Sequence, residues 1–158
     1  MKKAVISILS GVVGLVVGAE TVSKIKTEEY LKMRDMSEKH LELYLMMNQW
    51  VKIKQEGKNL AAYFKENGYR KIAIYGMSHV GKTLINELKG TEIEVAYGID
   101  KKINGNCTDI NIVSADEVLD NIDVVVVTAI TFFDEIEDML LSKVDCPIIA
   151  LDDILFEM

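Results

Sequence analysis

The chain predicts an α/β fold: a doubly wound, mostly parallel sheet of about five strands, preceded by a transmembrane helix and a long amphipathic helix. Three observations carry this. Short apolar runs near 71–75, 93–99, 123–128 and 146–151 alternate with helix-like segments, the rhythm of strand–helix–strand crossovers. A stretch without charge, Ala4 to Ala19, follows Lys2 and Lys3. Residues 28–55 contain neither proline nor glycine and keep a helical apolar repeat. The expected organisation is an anchor over 1–23, a connecting helix over 24–56 and a sheet domain over 57–158.

Sixteen helical residues span about 24 Å, short of the roughly 30 Å hydrocarbon core. Extending the segment to Val22, past Glu20, with Lys2 and Lys3 snorkelling, makes it long enough. A signal peptide with Val17 and Ala19 before its cleavage site is the competing reading. Against it, the segment is rich in Gly and Val, and Ser10, Gly14 and Gly18 form a small-xxx-small face suited to helix packing in lipid. Lys24, Lys26, Lys32, Arg34 and Lys39 follow the span, so the positive-inside bias predicts a single-pass cell-membrane protein with the bulk of the chain cytoplasmic.

In the connecting helix, Met33, Met36, His40, Leu43, Met47 and Trp50 follow a heptad-like seam. The fat apolar surface around it predicts burial against the domain itself, or a contact through residues 28–55 with a second copy or a membrane-associated glycan-assembly partner. His40 reads as a packed or partly exposed residue, since nothing nearby completes a metal site. Gly57 ends the helix. Asn59 is the N-cap of a short helix that Asn67-Gly68 stops.

Lys71-Ile-Ala-Ile-Tyr75 reads as a buried strand running through a glycine turn into a helix, the junction that presents backbone N–H groups to a phosphate. The same letters fit two motifs. Gly76, Ser78 and Gly81 nearly spell the dinucleotide fingerprint G-x-G-x-x-G, with serine in the middle place. Gly76 to Thr83 also spell the P-loop G-x-x-x-x-G-K-[ST], with Lys82 for the phosphates, Thr83 for Mg²⁺ and Asp152 as a strand-end acid. No D-x-x-G or N-K-x-D accompanies that second reading.

The next strand, Ile93 to Ile99, ends at Asp100, which lies 24 residues after Gly76 and 19 after Gly81. That is where a dinucleotide fold places the acid that bonds the ribose hydroxyls. A weak strand near Asn111–Val113 is followed by a helix over Ser114–Leu119, with Ser114 as cap and Glu117 at the capping-box offset. Asp123 to Thr128 is a buried parallel strand, 131–141 a helix and Cys146 to Leu151 the last strand. The expected binding residues are the turn Gly76, Met77, Ser78, His79, Val80 and Gly81, with Asp100 and Thr128 at neighbouring strand ends. The expected ligand is of nucleotide type, NAD(P) or a nucleotide-sugar, with the serine at 78 hindering close approach.

Charge divides the chain. Residues 1–70 carry 12 Lys/Arg against 8 Asp/Glu, a balance of +4, and residues 71–158 carry 6 against 17, a balance of −11. An acidic sheet domain repels a phosphate backbone, so nucleic acid is excluded as a partner. Cys107 and Cys146 have no framework or metal-ligand spacing. No triad or carboxylate pair can be assembled, so a binding role is expected before a catalytic one.

The run from Gly57-Lys-Asn-Leu through Arg70-Lys-Ile-Ala-Ile-Tyr-Gly, with Tyr97-Gly-Ile-Asp, Asp123-Val-Val-Val-Val-Thr and Pro147-Ile-Ile-Ala-Leu, resembles the small Rossmann-like domains of bacterial surface-glycan pathways. Those domains accompany sugar-modifying acyltransferases, methyltransferases and glycosyltransferases. The resemblance covers roughly residues 57–156 and implies nucleotide or nucleotide-sugar binding at Gly76, Ser78, Gly81 and Asp100. It departs from them in carrying a membrane segment and no attached catalytic domain, which implies an accessory role in glycan assembly. A protein-interaction scaffold with a vestigial pocket is the alternative.

Overall fold

In the computed structural model, five parallel strands lie in the order β3-β2-β1-β4-β5. The strands are β1 (Lys71–Tyr75), β2 (Glu94–Ile99), β3 (Ile112–Val113), β4 (Val124–Val127) and β5 (Ile148–Ala150). The structure describes residues 2–100, 110–117 and 119–158, with side chains from residue 26 onward. The chain forms two units, Met1–Glu42 and Leu43–Met158.

The expected α/β class and parallel sheet hold, every strand pairing being parallel. Composition explains the centre of the sheet. Val124 to Val127 are each fully buried, and β-branched side chains suit a strand covered on both faces. Burying one such side chain contributes roughly 1.5–3 kcal/mol relative to leaving it exposed. Its neighbour β1 pairs Ile72 with Val124 and Tyr75 with Val127, so the two strands end level.

Alternation sorts the side chains into two layers. Ile72, Ile74, Val124 and Val126 pack beneath helices α2 (Leu60–Glu66), α3 (His79–Leu88) and α5 (Leu151–Glu157) and the end of α1 (Lys2–Gln55). Ala73, Tyr75, Val125 and Val127 face Ile136 and Leu140 of α4 (Phe133–Leu140). A 3₁₀ turn, Ile130–Phe132, leads into α4.

Capping follows the expected chemistry at α2. Asn59 Oδ1 accepts from Ala62 N at 2.9 Å, and Gly57 and Gly68 take the left-handed conformation at either side of that helix. Glu87 ties α3 to both α1 and α2. Its carboxylate accepts from Trp50 Nε1 at 2.7 Å, from Leu60 N at 3.2 Å and from Lys54 Nζ at 3.0 Å.

Three expectations need correction. First, the buried residues of α1, among those described, are Met46, Trp50 and Ile53, a four-then-three spacing onto the sheet, whereas Met33, Met36, His40 and Leu43 of the expected seam are exposed. Second, residues 114–117 form turns and no helix. One arm of the capping box is made all the same: Ser114 N donates to Glu117 Oε1 at 2.8 Å, while the Ser114 hydroxyl accepts from Asp116 N at 3.3 Å. Those bonds close a turn as readily as they start a helix.

Third, β5 stops at Ala150, and Leu151–Glu157 is a helix that the sequence reading left out. Leu151, Ile154 and Leu155 supply its buried face, and Asp152 and Asp153 sit favourably in its first turn. Among the described residues no helix is long and apolar enough to cross a membrane. The anchor expected over 1–23 lies outside the residues whose side chains are described, as does Cys107.

Candidate functional site

The connections of β1 and β4 run to opposite sides of the sheet, so their carboxyl ends flank the point where strand order reverses. In an open parallel sheet that point leaves a crevice for a ligand. Here a crevice of about 360 Å³ lies beside the ends of β1 and β2, walled by the segment after β4 and by α4. Tyr75, Gly76, Met77, Ser78 and Asp100 form one wall, and Ala129, Phe132, Glu135, Ile136 and Met139 the other.

The glycine turn is built for close approach within the protein. Gly76 has φ +96°, and a Cβ there would stand 2.8 Å from Thr128 Oγ1. Only a glycine takes that conformation readily. Gly81, in the first turn of α3, lies against the Gly76 carbonyl, and a Cβ at Gly81 would fall far inside the 3.0 Å that real Cβ atoms keep. These are the roles of the first and third glycines of a dinucleotide fingerprint, a tight turn and close packing of helix on strand.

Ser78 at the middle position is the N-cap of α3, with φ −74°, a conformation open to any residue. Its hydroxyl makes no cap bond to the helix. The turn between β1 and α3 is only Gly76 to Ser78, and α3 begins at His79.

Asp100 reaches the turn. Its Oδ2 accepts from Met77 N at 2.9 Å, which ties the end of β2 to the loop after β1. The Met77 side chain is buried and lies over Gly98, where any Cβ would meet its Sδ at 2.5 Å. Val80 is buried in the core, so only its backbone is available to a ligand. His79 and Ser78 are exposed.

Thr128 is 2% exposed and points beneath the turn. Its hydroxyl lies 2.7 Å from the Gly76 carbonyl and 3.0 Å from that of Tyr75, and its N–H donates to Tyr75 O at 2.9 Å. It braces the turn from below and is not among the residues lining the crevice.

None of the residues that the P-loop reading uses, Lys82, Thr83 and Asp152, lines the crevice. Thr83 Oγ1 donates to the His79 carbonyl at 2.8 Å along the helix. Asp152 is in the first turn of α5.

The sequence reading missed Tyr75 and the whole α4 wall. Tyr75 is 4% exposed, and its hydroxyl has no hydrogen-bond partner among the described residues. Burial, and then the neighbouring Asp100 carboxylate, push its phenol above the ordinary value and keep it protonated. The signal for both was available. In a doubly wound sheet the last residue of the first strand and the helix after the fourth strand must meet over the reversal point.

Fold and site together define a parallel α/β domain with a glycine turn, a strand-end carboxylate and a lined crevice at the carboxyl ends of its strands. The chain belongs to the C2185-like, N-terminal family, whose model matches residues 68–147, from just before β1 to just before β5. Searches of curated proteins and of solved structures returned no match.

Proposed function

We propose that the protein is a membrane-tethered, cytoplasm-facing Rossmann-like protein. It binds a nucleotide-type ligand, NAD(P) or a nucleotide-sugar, and serves as an accessory to surface-glycan assembly without catalysis of its own. The observation that carries the binding reading is the joined pair Met77 N and Asp100 at the mouth of a crevice of about 360 Å³. That size is at the low end of small-molecule sites, roughly 300–1,000 Å³. The tether rests on the uncharged run Ala4–Ala19 and its basic flank, and the glycan setting on the sequence resemblance over 57–156.

The tight turn favours this reading over a P-loop. Three residues between strand and helix cannot wrap a triphosphate, and the space such a loop would enclose is taken by the Gly76 carbonyl against Gly81. The scaffold alternative draws on the exposed apolar residues of α1, among them Tyr44, Leu45 and Val51.

Thermal shift of the full chain with NAD(H), NADP(H), UDP-glucose and ATP/Mg²⁺ tests the proposal. A ligand at about 100 times its Kd adds about 2.7 kcal/mol, a rise of roughly 5–10 °C for a chain of this length. Loss of that rise in Asp100→Ala supports the site. No rise with any probe refutes it, and a rise with ATP/Mg²⁺ alone, lost in Lys82→Ala, restores the P-loop.

A further inference from the structure

The Tyr75 hydroxyl is the feature of the crevice that the fold does not explain. Buried polar groups in native proteins are nearly all hydrogen-bonded, and leaving one unpaired destabilises the folded state. A phenylalanine would fill the same place against Val127, Ile99 and Ile136 without that cost. Yet position 75, the last residue of β1, lining the crevice at 4% exposure, carries a phenol.

The rest of the lining says what chemistry would satisfy it. Among the described residues that line the crevice there is no Lys or Arg, whereas two carboxylates, Asp100 and Glu135, are present. A phosphate placed among them would face two negative charges at short range, with no side-chain cation among the described lining residues to offset them. Phe132, Ile136 and Met139 offer an apolar wall suited to a flat ring. The volume has room for one nucleoside rather than two. Past Ser78, itself a lining residue, no residue of α3, a helix of ten residues, lines the crevice, so the backbone N–H groups that open the helix lie beyond its acidic part.

We propose that Tyr75 is a binding residue: its hydroxyl pairs with a hydroxyl or carbonyl of the uncharged nucleoside end of the ligand, which the crevice holds, while any phosphates lie outside toward the α3 N-terminus. This rests on the nucleotide-type reading above and adds to it which end enters and which side chain reads it. The phenol is protonated, and so can donate to or accept from that end. The Asp100 carboxylate beside it is already engaged with Met77 N.

The test is Tyr75→Phe in the full chain, read in two ways. Without ligand, the variant is expected to melt roughly 2–6 °C above the parent, because an unpaired buried hydroxyl has been removed. By calorimetric titration it is expected to bind NAD⁺ or UDP-glucose, and the matching free nucleosides adenosine or uridine, roughly 2- to 12-fold more weakly. Inorganic pyrophosphate is expected to bind the two proteins equally.

A lower melting temperature in Tyr75→Phe would mean the hydroxyl is satisfied within the protein, and would overturn the assignment. So would unchanged affinity for all four nucleoside-bearing probes, or a loss confined to pyrophosphate. In each of those cases the nucleotide-type reading survives if the parent still binds. If the parent binds none of the probes, that reading falls and takes the Tyr75 assignment with it.

Discussion

Replacing Gly81 by alanine tests the central claim about the turn, that α3 presses on β1 through a position with no room for a side chain. Two effects oppose each other. Alanine in a helix gains up to about 1 kcal/mol over glycine. Overpacking costs roughly 1–3 kcal/mol. Here the atom in the way is the Gly76 carbonyl oxygen, with its carbon at 3.2 Å and Thr128 Oγ1 at 3.4 Å behind it. A backbone carbonyl braced by a buried threonine cannot swing aside as a lysine tip would, so the upper part of that range applies.

The net is a destabilisation of about 1–2 kcal/mol, or roughly 2–8 °C in Tm for a chain of this length. The assay is thermal unfolding of the full chain by circular dichroism. Asn86→Ala, an exposed site on the same helix, is the control and should move Tm by no more than about 2 °C. If Gly81→Ala melts at or above the parent temperature, α3 does not abut the turn as described, and the dinucleotide-type reading loses its geometric footing.

Two further outcomes follow from the packing. Glu87→Ala leaves the Trp50 indole N–H and the Leu60 N–H without their acceptor, for about 2–3 kcal/mol. Trp50 is the only tryptophan, so a red-shifted emission should accompany the lower Tm, and a variant that melts within 2 °C of the parent with unshifted emission would contradict the hub. Asp123 accepts from the N–H groups of Lys71 and Arg70, each at 2.7 Å, and these bonds hold its carboxyl below the usual range. A folded value below the unfolded one, about 3.9, means its stabilisation is present above roughly pH 4 and fades as pH falls through the folded value. The gap in urea midpoint between the parent and Asp123→Asn should therefore be largest near pH 7 and narrow by pH 3. The group is exposed, so screening keeps the gap within about 1 kcal/mol, and a gap independent of pH would count against the account.

The sheet was legible because its strands carry their own signature. Val124 to Val127 can be little else than a buried parallel strand, and the alternation in Ile72-Ala-Ile-Tyr75 sets which side chain faces which layer. The turn was legible for a related reason, since Gly76 and Gly81 each answer a local steric demand. Other features depend on distant partners. The exposed Met33 and the buried Met46 look alike in sequence, and only the docking of α1 on the sheet separates them. Thr128 was expected at the ligand, but its hydroxyl is drawn under the turn by two carbonyls that no local pattern reveals. The α4 wall of the crevice is a product of packing on Val125 and Val127, and Leu151–Glu157 was hidden because its two aspartates read equally well as a strand end.

The outermost members of the sheet are only two residues long on one side, β3, and three on the other, β5, where Pro147 comes immediately before. A neighbouring chain seeking to extend the ladder would find few main-chain groups to pair with, and proline contributes no donor. Copies concentrated at one place in the cell would thus meet through side chains, with little tendency to fuse backbone to backbone into fibrils.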